Sequence, residues 1–134
     1  MSSFSAYLTV STFQTWINSA TVVFHQEADS LGRPASPTFG GKLTVSFNSP
    51  TDPLVTAWAI SPTKQWSGSL TYINLEGQTL KVIEFSNAFC TDLVEEFDGT
   101  TSSAQMVMTI VISPEKVSVA GIKHDNNWPP TSAF

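Results

Sequence analysis

A chain of 134 residues with 41% hydrophobic content is long enough for one domain around a single core, and we expect residues 1–134 to form that domain. With six Lys and Arg and a net charge of −5, the chain lacks the basic surface that binds nucleic acid. Charged residues make up 13%, against about 25% in an average protein. This low fraction fits either a surface partly covered by protein partners or an ordinary β-protein rich in Ser and Thr.

The N-terminal sequence MSSFSAYLTV has no basic start followed by an apolar run, so we expect no cleaved signal peptide. The sequence also contains no apolar stretch near the length of about 18 residues that a membrane span needs, so direct membrane insertion is not expected. Export of this chain would then depend on another route.

Alternation of apolar and polar residues with a period of two predicts a mainly β structure. The predicted strands cover residues 4–10, 13–17, 20–25, 42–47, 68–74, 79–85, 89–97, 106–112 and 116–120. The strand at 106–112 is apolar on both faces, which indicates a central position in a sheet. From about residue 123 the tail shows no period and is predicted to be irregular.

The alternation is interrupted at Ser86 and Asn87, which predicts a bulge or tight turn between two strands. In the strand that follows, Phe89, Leu93 and Phe97 are predicted to share one face.

One short helix is predicted over about residues 52–60. Asp52 can cap the free N–H groups of its first turn, and Pro53 suits the first helical position. Leu54 and Trp58 lie four residues apart and therefore on one apolar face. Packing in the core is the preferred interpretation of Trp58, and docking onto a neighbouring subunit is the alternative.

The connection between the strands at 20–25 and 42–47 is the most unusual feature of the sequence. Residues 29–41 contain three glycines and two prolines, so no regular element can run through them. Structureless loops beyond about 12 residues are uncommon unless they bind something or are disordered. Because the segment also carries Leu31 and the charges of Asp29 and Arg33, we expect an interaction arm.

Few residues could carry catalytic or metal-binding chemistry. A single cysteine, Cys90, excludes an internal disulfide framework and a multi-cysteine metal site, and it is predicted to be buried. The two histidines, His25 and His124, lie far apart without a ligand cluster, so neither a metal nor another cofactor is expected. Phosphate-binding loops, dinucleotide-binding glycine patterns and nucleophile elbows are missing from the sequence.

The acidic cluster consists of Asp92, Glu95, Glu96 and Asp98. Paired carboxylates can perform acid–base catalysis. Glu95 and Glu96 are adjacent on a predicted strand, however, and adjacent strand residues point to opposite faces. A solvated or lumen-facing acidic stripe is therefore the preferred interpretation, and the chain is not expected to be an enzyme.

The order of these segments resembles a known family. The segments that carry the resemblance are 29–34 (DSLGRP), 40–43 (GGKL), 52–60, 85–90 (FSNAFC) and 95–98 (EEFD). In this order they resemble the tube protein of the type VI secretion system, the haemolysin-coregulated protein family, over roughly residues 4–128. The Phe39 that precedes the paired glycines departs from the basic residue expected there in relatives.

The resemblance implies a β-barrel or sandwich of two antiparallel sheets with one flanking helix. It also implies hexameric rings that stack into a tube inside a contractile sheath. The partners would be other copies of the chain together with sheath, spike and effector proteins, and effectors could be carried in the lumen. The subunit would be made in the bacterial cytoplasm and secreted through the type VI apparatus.

Two alternatives remain open on the sequence. One is a tail-tube subunit of a related phage-tail-like contractile particle, and the other is a monomeric β-barrel that binds a sugar or small apolar ligand. For the tube subunit, the candidate subunit or ring interface is formed by Asp29, Leu31, Gly32, Arg33, Pro34, Phe39, Gly40, Gly41, Leu54 and Trp58. Arg33 is predicted to anchor this interface on a carboxylate, with those near Glu95 as candidates.

Overall fold

The computed structural model of the chain describes residues 4–26, 28–34, 39–100, 105–126 and 128. These residues form an antiparallel β structure with one short helix, which confirms the predicted fold class. The strands are β1 (Phe4–Val10), β2 (Phe13–Trp16), β3 (Ser19–His25), β4 (Phe39–Asn48), β5 (Trp66–Asn74), β6 (Thr79–Asp98), β7 (Gln105–Ser113), β8 (Lys116–Val119) and β9 (Ile122–Asp125), and the helix is α1 (Leu54–Ile60).

The strands follow the order β2-β1-β5-β6-β7-β4-β3, and the β8–β9 hairpin pairs with β6. Strand β6 has 20 residues and takes part in both halves of the fold. Its first half pairs with β5 and β8, and its second half pairs with β7. Two antiparallel sheets therefore share one long strand, and β3 lies at the end of the second sheet.

Asn87 marks the change of direction between the two halves of β6. Its φ of 52° lies in the left-handed region, which Asn tolerates better than most residues. Its side-chain amide donates to Glu115 Oε1 at 2.9 Å, and its carbonyl accepts from Gln65 Nε2 at 3.2 Å. Gly68 pairs with Phe85 and Trp66 pairs with Ala88, so Ser86 and Asn87 of β6 lie opposite the single Ser67 of β5. The bulge predicted at this position is confirmed, and β6 continues through it as one strand.

A bulge at Thr91 changes which residues of β6 share a face. Cys90 pairs with Ile112, whereas Asp92 pairs with the adjacent Val111, so Thr91 is the extra residue. Phe89 is therefore on the face opposite to that of Leu93, and the prediction that the two share a face is wrong. The Phe89 ring instead lies 5.5 Å from that of Trp128.

The core lies between the two sheets and under α1. Its buried side chains come from alternate positions of the strands and include Leu8, Val10, Leu43, Val45, Phe47, Leu70, Phe85, Ile110 and Ile112. Strand β7 lies between β4 and β6, as its two apolar faces predicted, although its outward residues Val107 and Val111 are only half-buried.

Helix α1 falls within the predicted range of 52–60. Its first N–H, that of Leu54, donates to Asp52 Oδ1 at 2.9 Å. Pro53 is the N-cap residue, so the helix begins at Leu54, one residue later than predicted. Trp58 is fully buried, and its Nε1 donates to the carbonyl oxygen of Ala88 at 3.1 Å, which confirms core packing. In the described part of the chain, no helix has the length and apolar character needed to cross a membrane.

The tail is more regular than predicted. Residues 122–125 form β9 and pair with β8, so the expectation of an irregular tail from about residue 123 is wrong at its start. Ala120 and Gly121 have φ values of 51° and 87°, the positive angles of the two-residue turns that match strand twist in a hairpin. Two strands of four residues each are too short to show a clear alternation.

Candidate subunit interface

The long connection is shorter than predicted. Strand β3 ends at His25 and β4 begins at Phe39, so the connection covers residues 26–38 and the paired glycines belong to β4. Of this connection, the structure describes residue 26 and residues 28–34.

Residues 28–34 form a compact turn held by Asp29. Asp29 Oδ1 accepts hydrogen bonds from the N–H groups of Leu31 and Arg33, both at 2.9 Å. The backbone N–H of Asp29 donates to the Arg33 carbonyl at 2.8 Å, and that of Gly32 donates to the Asp29 carbonyl at 2.9 Å. Gly32 has a φ of 83°, a value that suits glycine. The turn is therefore ordered by its own bonds.

Arg33 forms its ion pair inside this turn. Its Nε lies 2.9 Å from Asp29 Oδ2, and its side chain is 70% exposed. The backbone N–H of Arg33, that of Leu31 and the Arg33 guanidinium lower the pKa of Asp29. Glu95 accepts instead from the hydroxyl of Ser49. Among the described residues of one subunit, Arg33 pairs with the Asp29 carboxylate, and a contact with a neighbouring subunit remains a prediction.

Leu31 lies at the apex of the turn and is 75% exposed. Asp29 fixes the backbone on both sides of it, so a partner would contact an apolar side chain on an already ordered loop. Docking such a loop costs less conformational entropy than ordering a flexible one.

Gly40 and Gly41 allow β4 to approach its neighbours closely. Both have positive φ, 129° and 76°. A Cβ atom on Gly40 would lie 2.4 Å from the carbonyl oxygen of Val23, next to a shift in the pairing of β3 with β4. These contacts within the subunit account for both glycines, and an interface role for them remains a prediction.

Asn126 closes the fold at this point. Its Oδ1 accepts from the Gly40 N–H at 3.1 Å, and its Nδ2 donates to the carbonyl oxygens of Gly40 and Pro114, both at 2.9 Å. His124 Nε2 lies 2.9 Å from the same Oδ1. One side chain thus joins the start of β4 to the segment between β7 and β8. We call this contact the Asn126 clamp.

The other three predicted interface residues, Phe39, Leu54 and Trp58, lie outside the turn at residues 28–34 and outside the paired glycines. Phe39 begins β4 and pairs with His25. Leu54 is partly buried against the core. Trp58 has no exposed surface, so its assignment to the interface is wrong.

An opening lies between β3 and the first sheet. It has a volume of about 410 Å³ and is lined by Val22, Phe24, Tyr72, Lys81, Ile83 and Val119. A second cavity of about 520 Å³ shares Tyr72 and continues the opening past Phe4 and Trp16. Partial burial raises the pKa of Tyr72. We call the first cavity the β3 trough.

The far end of β6 carries an exposed apolar pair. Phe97 pairs with Met106 across β6 and β7, and the two are 65% and 46% exposed. Asp98 follows at the strand end, where its Oδ1 accepts from the hydroxyl of Thr100 at 2.6 Å and from its N–H at 2.9 Å. These bonds lower the pKa of Asp98. We call Phe97, Asp98 and Met106 the hairpin tip.

The described residues give little support for a reactive cysteine or a metal site. Burial raises the pKa of Cys90 to about 11, so its thiol stays protonated near neutral pH. Among the described residues, no group of three or more His, Cys, Asp or Glu side chains could hold a metal ion.

Sequence reasoning did not single out Asn126, Tyr72 or Lys81. Asn126 lies in a tail without a period, and its partners are 12 and 86 residues away, so no local pattern indicates them. Lys81 and Tyr72 are strand residues whose importance depends on a trough formed by separate strands.

A family model described as hemolysin coregulated protein Hcp (TssD) matches residues 2–129. The structure of Hcp1 from Flavobacterium johnsoniae is similar, with a TM-score of 0.83, 27% identity and coverage of 91% of this chain and 99% of that one. Hcp1 from Salmonella typhimurium has a TM-score of 0.71 at 11% identity, covering 88% of this chain and 86% of that one.

The PVC sheath–tube complex of an extracellular contractile injection system contains a chain with a TM-score of 0.56 at 19% identity, covering 85% of this chain and 86% of that one. The two similarities below 25% identity concern the fold alone. No curated protein matches this chain.

Proposed function

The chain belongs to the hemolysin coregulated protein (Hcp, TssD) family and is a tube subunit of the type VI secretion system, and from this premise we propose that its copies close into hexameric rings that stack into the secreted tube. The observation that carries the proposal is the family match over residues 2–129. The similarity to an Hcp1 structure over 91% of the chain supports it.

The turn at residues 28–34 is proposed to contact another copy, either within the ring or between stacked rings. Two observations support this contact. Leu31 is exposed, and hydrogen bonds to Asp29 already order the backbone that carries it. Arg33 lies beside it with most of its side chain in solvent, so its terminal nitrogens can reach a carboxylate of a neighbour.

The role proposed here is structural rather than enzymatic. A tube subunit needs surfaces for its own copies and for the sheath and spike, and effectors would be carried in the lumen. We propose that the protein is made in the bacterial cytoplasm and leaves through the type VI apparatus without a cleaved signal peptide.

Native mass spectrometry with negative-stain electron microscopy tests the assembly. The purified chain is expected to give a six-subunit mass and ring-shaped particles. A monomer at every protein and salt concentration would contradict the proposal and favour the monomeric binding module. Co-purification of the tube from cells inside the sheath of a phage-tail-like particle would instead favour that system, for which the PVC complex supplies a similar fold.

The contribution of the arm is tested with Leu31→Ser and with a short Gly/Ser linker in place of residues 31–38. Both variants are expected to fold, as shown by circular dichroism, but to assemble and be secreted poorly. Ile60→Ser is the matched control, because Ile60 is 77% exposed at the end of α1. Normal tubes and normal export of the linker variant would show that the arm is a tolerated surface loop.

A further inference from the structure

We propose that the hairpin tip of one copy docks into the β3 trough of the next copy, so that each subunit completes the open side of its neighbour. This inference rests on the proposed assembly and names the two surfaces that would form one of its contacts.

The two surfaces are complementary in their apolar parts. Val22, Phe24 and Val119 line the trough with apolar side chains. These side chains are not fully covered within the subunit, and Phe24 is 42% exposed. The tip presents Phe97 and Met106 side by side on one face of the hairpin. An exposed aromatic with a neighbouring Met fits the residue types that are enriched at interface centres.

The charges are also complementary. Lys81 is the charged side chain among the six residues that line the trough. At the tip, Asp98 carries a carboxylate whose bonds to Thr100 both use Oδ1, so neither occupies Oδ2. A cation in the trough opposite this anion would orient the docking and oppose approach by a basic partner.

The positions of the two surfaces favour a second copy as the occupant. Lys81 is near the start of β6 and Phe97 near its end. An extended strand of 20 residues spans roughly 65 Å, less where β6 bends at Asn87. The tip of one copy is therefore remote from its own trough along this strand. Different surfaces meeting head to tail make a heterologous interface, which closes into a ring or continues as a filament.

The turn at residues 28–34 is a weaker occupant for the trough. It presents one apolar side chain, Leu31, and its carboxylate at Asp29 is already paired with Arg33. The hairpin tip offers two apolar side chains together with the Asp98 carboxylate, and the sequence of residues 99–105 contains no basic residue that could pair with it.

Exchange of the two charges tests this contact. Asp98→Lys gives a copy with a basic tip and a basic trough, whereas Lys81→Glu gives an acidic tip and an acidic trough. Each variant alone is expected to need about tenfold or more protein for half-assembly than the wild type, because every contact then joins like charges. The double variant, and an equimolar mixture of the two single variants, are expected to assemble again, the mixture with equal numbers of each.

Native mass spectrometry reads the composition of these assemblies, and circular dichroism verifies that each variant is folded. Asp98→Asn is the control that separates the charge of Asp98 from its hydrogen bonds to Thr100. The Asn side chain keeps an oxygen that can accept these bonds and removes only the charge. Phe97→Ser tests the apolar part independently, with Ile60→Ser as its exposed control. Phe97→Ser is expected to abolish assembly while Ile60→Ser leaves it intact.

The inference is overturned if the Asp98→Lys, Lys81→Glu and Phe97→Ser variants all assemble like the wild type. The proposed hexameric ring would not be affected by that result. Folded single variants that fail without rescue in the mixture or the double variant would overturn the inference as well. A wild-type chain that never assembles would contradict the proposed function itself. Rescue restricted to the mixture and the double variant is the result expected from tip-to-trough docking.

Discussion

The Asn126 clamp and the β3 trough are two places where separate strands of this fold meet, and they are completed differently. At the clamp, one amide side chain makes hydrogen bonds to Gly40 and to Pro114. At the trough, apolar side chains surround an open volume of about 410 Å³ with Lys81 beside them. The chain thus closes one junction with its own polar groups and leaves the other available to a partner.

This difference has a thermodynamic meaning. Bonds to partly buried backbone groups contribute to folding of the single subunit, because an unmatched N–H or C=O there is costly. Apolar surface left in the trough contributes only when another surface covers it. Substitutions in the closed region should therefore change the free energy of unfolding, and substitutions in the open region should change assembly.

The largest effect is expected for Trp58→Ala in the closed region. Removing a fully buried indole, together with its bond to Ala88, should cost about 3 to 5 kcal/mol of unfolding free energy. Urea denaturation measures it. Trp16→Ala is the control, since Trp16 is 60% exposed and its loss should cost less than about 1 kcal/mol. Equal losses at the two positions would show that Trp58 does not support the core.

Gly40→Ala comes next. Its new methyl group would meet the Val23 carbonyl at 2.4 Å on a backbone with φ of 129°, so we expect a loss of about 2 to 4 kcal/mol. Gly77→Ala is the matched control, with a φ of 81° but nothing within 4 Å of the added carbon, and should cost about 1 kcal/mol. Comparable thermal unfolding of both variants would remove the steric explanation.

Asn126→Ala tests the clamp itself. Losing the bonds to Gly40 and Pro114 should cost about 2 to 3 kcal/mol in urea denaturation. Lys81→Ala in the open trough should change the same quantity by less than about 0.5 kcal/mol while weakening assembly. If Lys81→Ala destabilises the subunit as much as Asn126→Ala does, the trough contributes to folding as the clamp does, and the distinction between the two regions is wrong.

The smallest effect concerns pH at the turn of residues 28–34. The pKa of Asp29 is lowered in the folded chain, so its stabilising bonds are present above the ordinary value of 3.8 and are lost as the pH falls through the lowered value. An NMR titration should show the amide signals of Leu31 and Arg33 moving together in that acidic range. In Asp29→Asn this transition should be absent, and its persistence would assign the change to another group.

Sequence patterns predicted much of the fold because alternation of apolar residues directly reports a half-buried strand. Strand β1 has the predicted ends, and α1 lies where its start and stop signals placed it. The face of Phe89 was predicted wrongly because the single extra residue at Thr91 inverts the alternation.

The candidate site was less predictable. Leu31 lies at an exposed apex, and its place in an interface stays a prediction, whereas Arg33 pairs with Asp29 only four residues away. The Asn126 clamp and the β3 trough depend on residues brought together from distant strands, and a local pattern contains no information on such contacts.

Electron cryomicroscopy of the assembled wild-type particle tests the central claim most directly, because it places the open side of each subunit against its surroundings. The account predicts that the Phe97 ring of one copy lies in van der Waals contact with Phe24 and Tyr72 of the next, with Asp98 beside Lys81. Assembled rings in which the β3 trough faces solvent would contradict it.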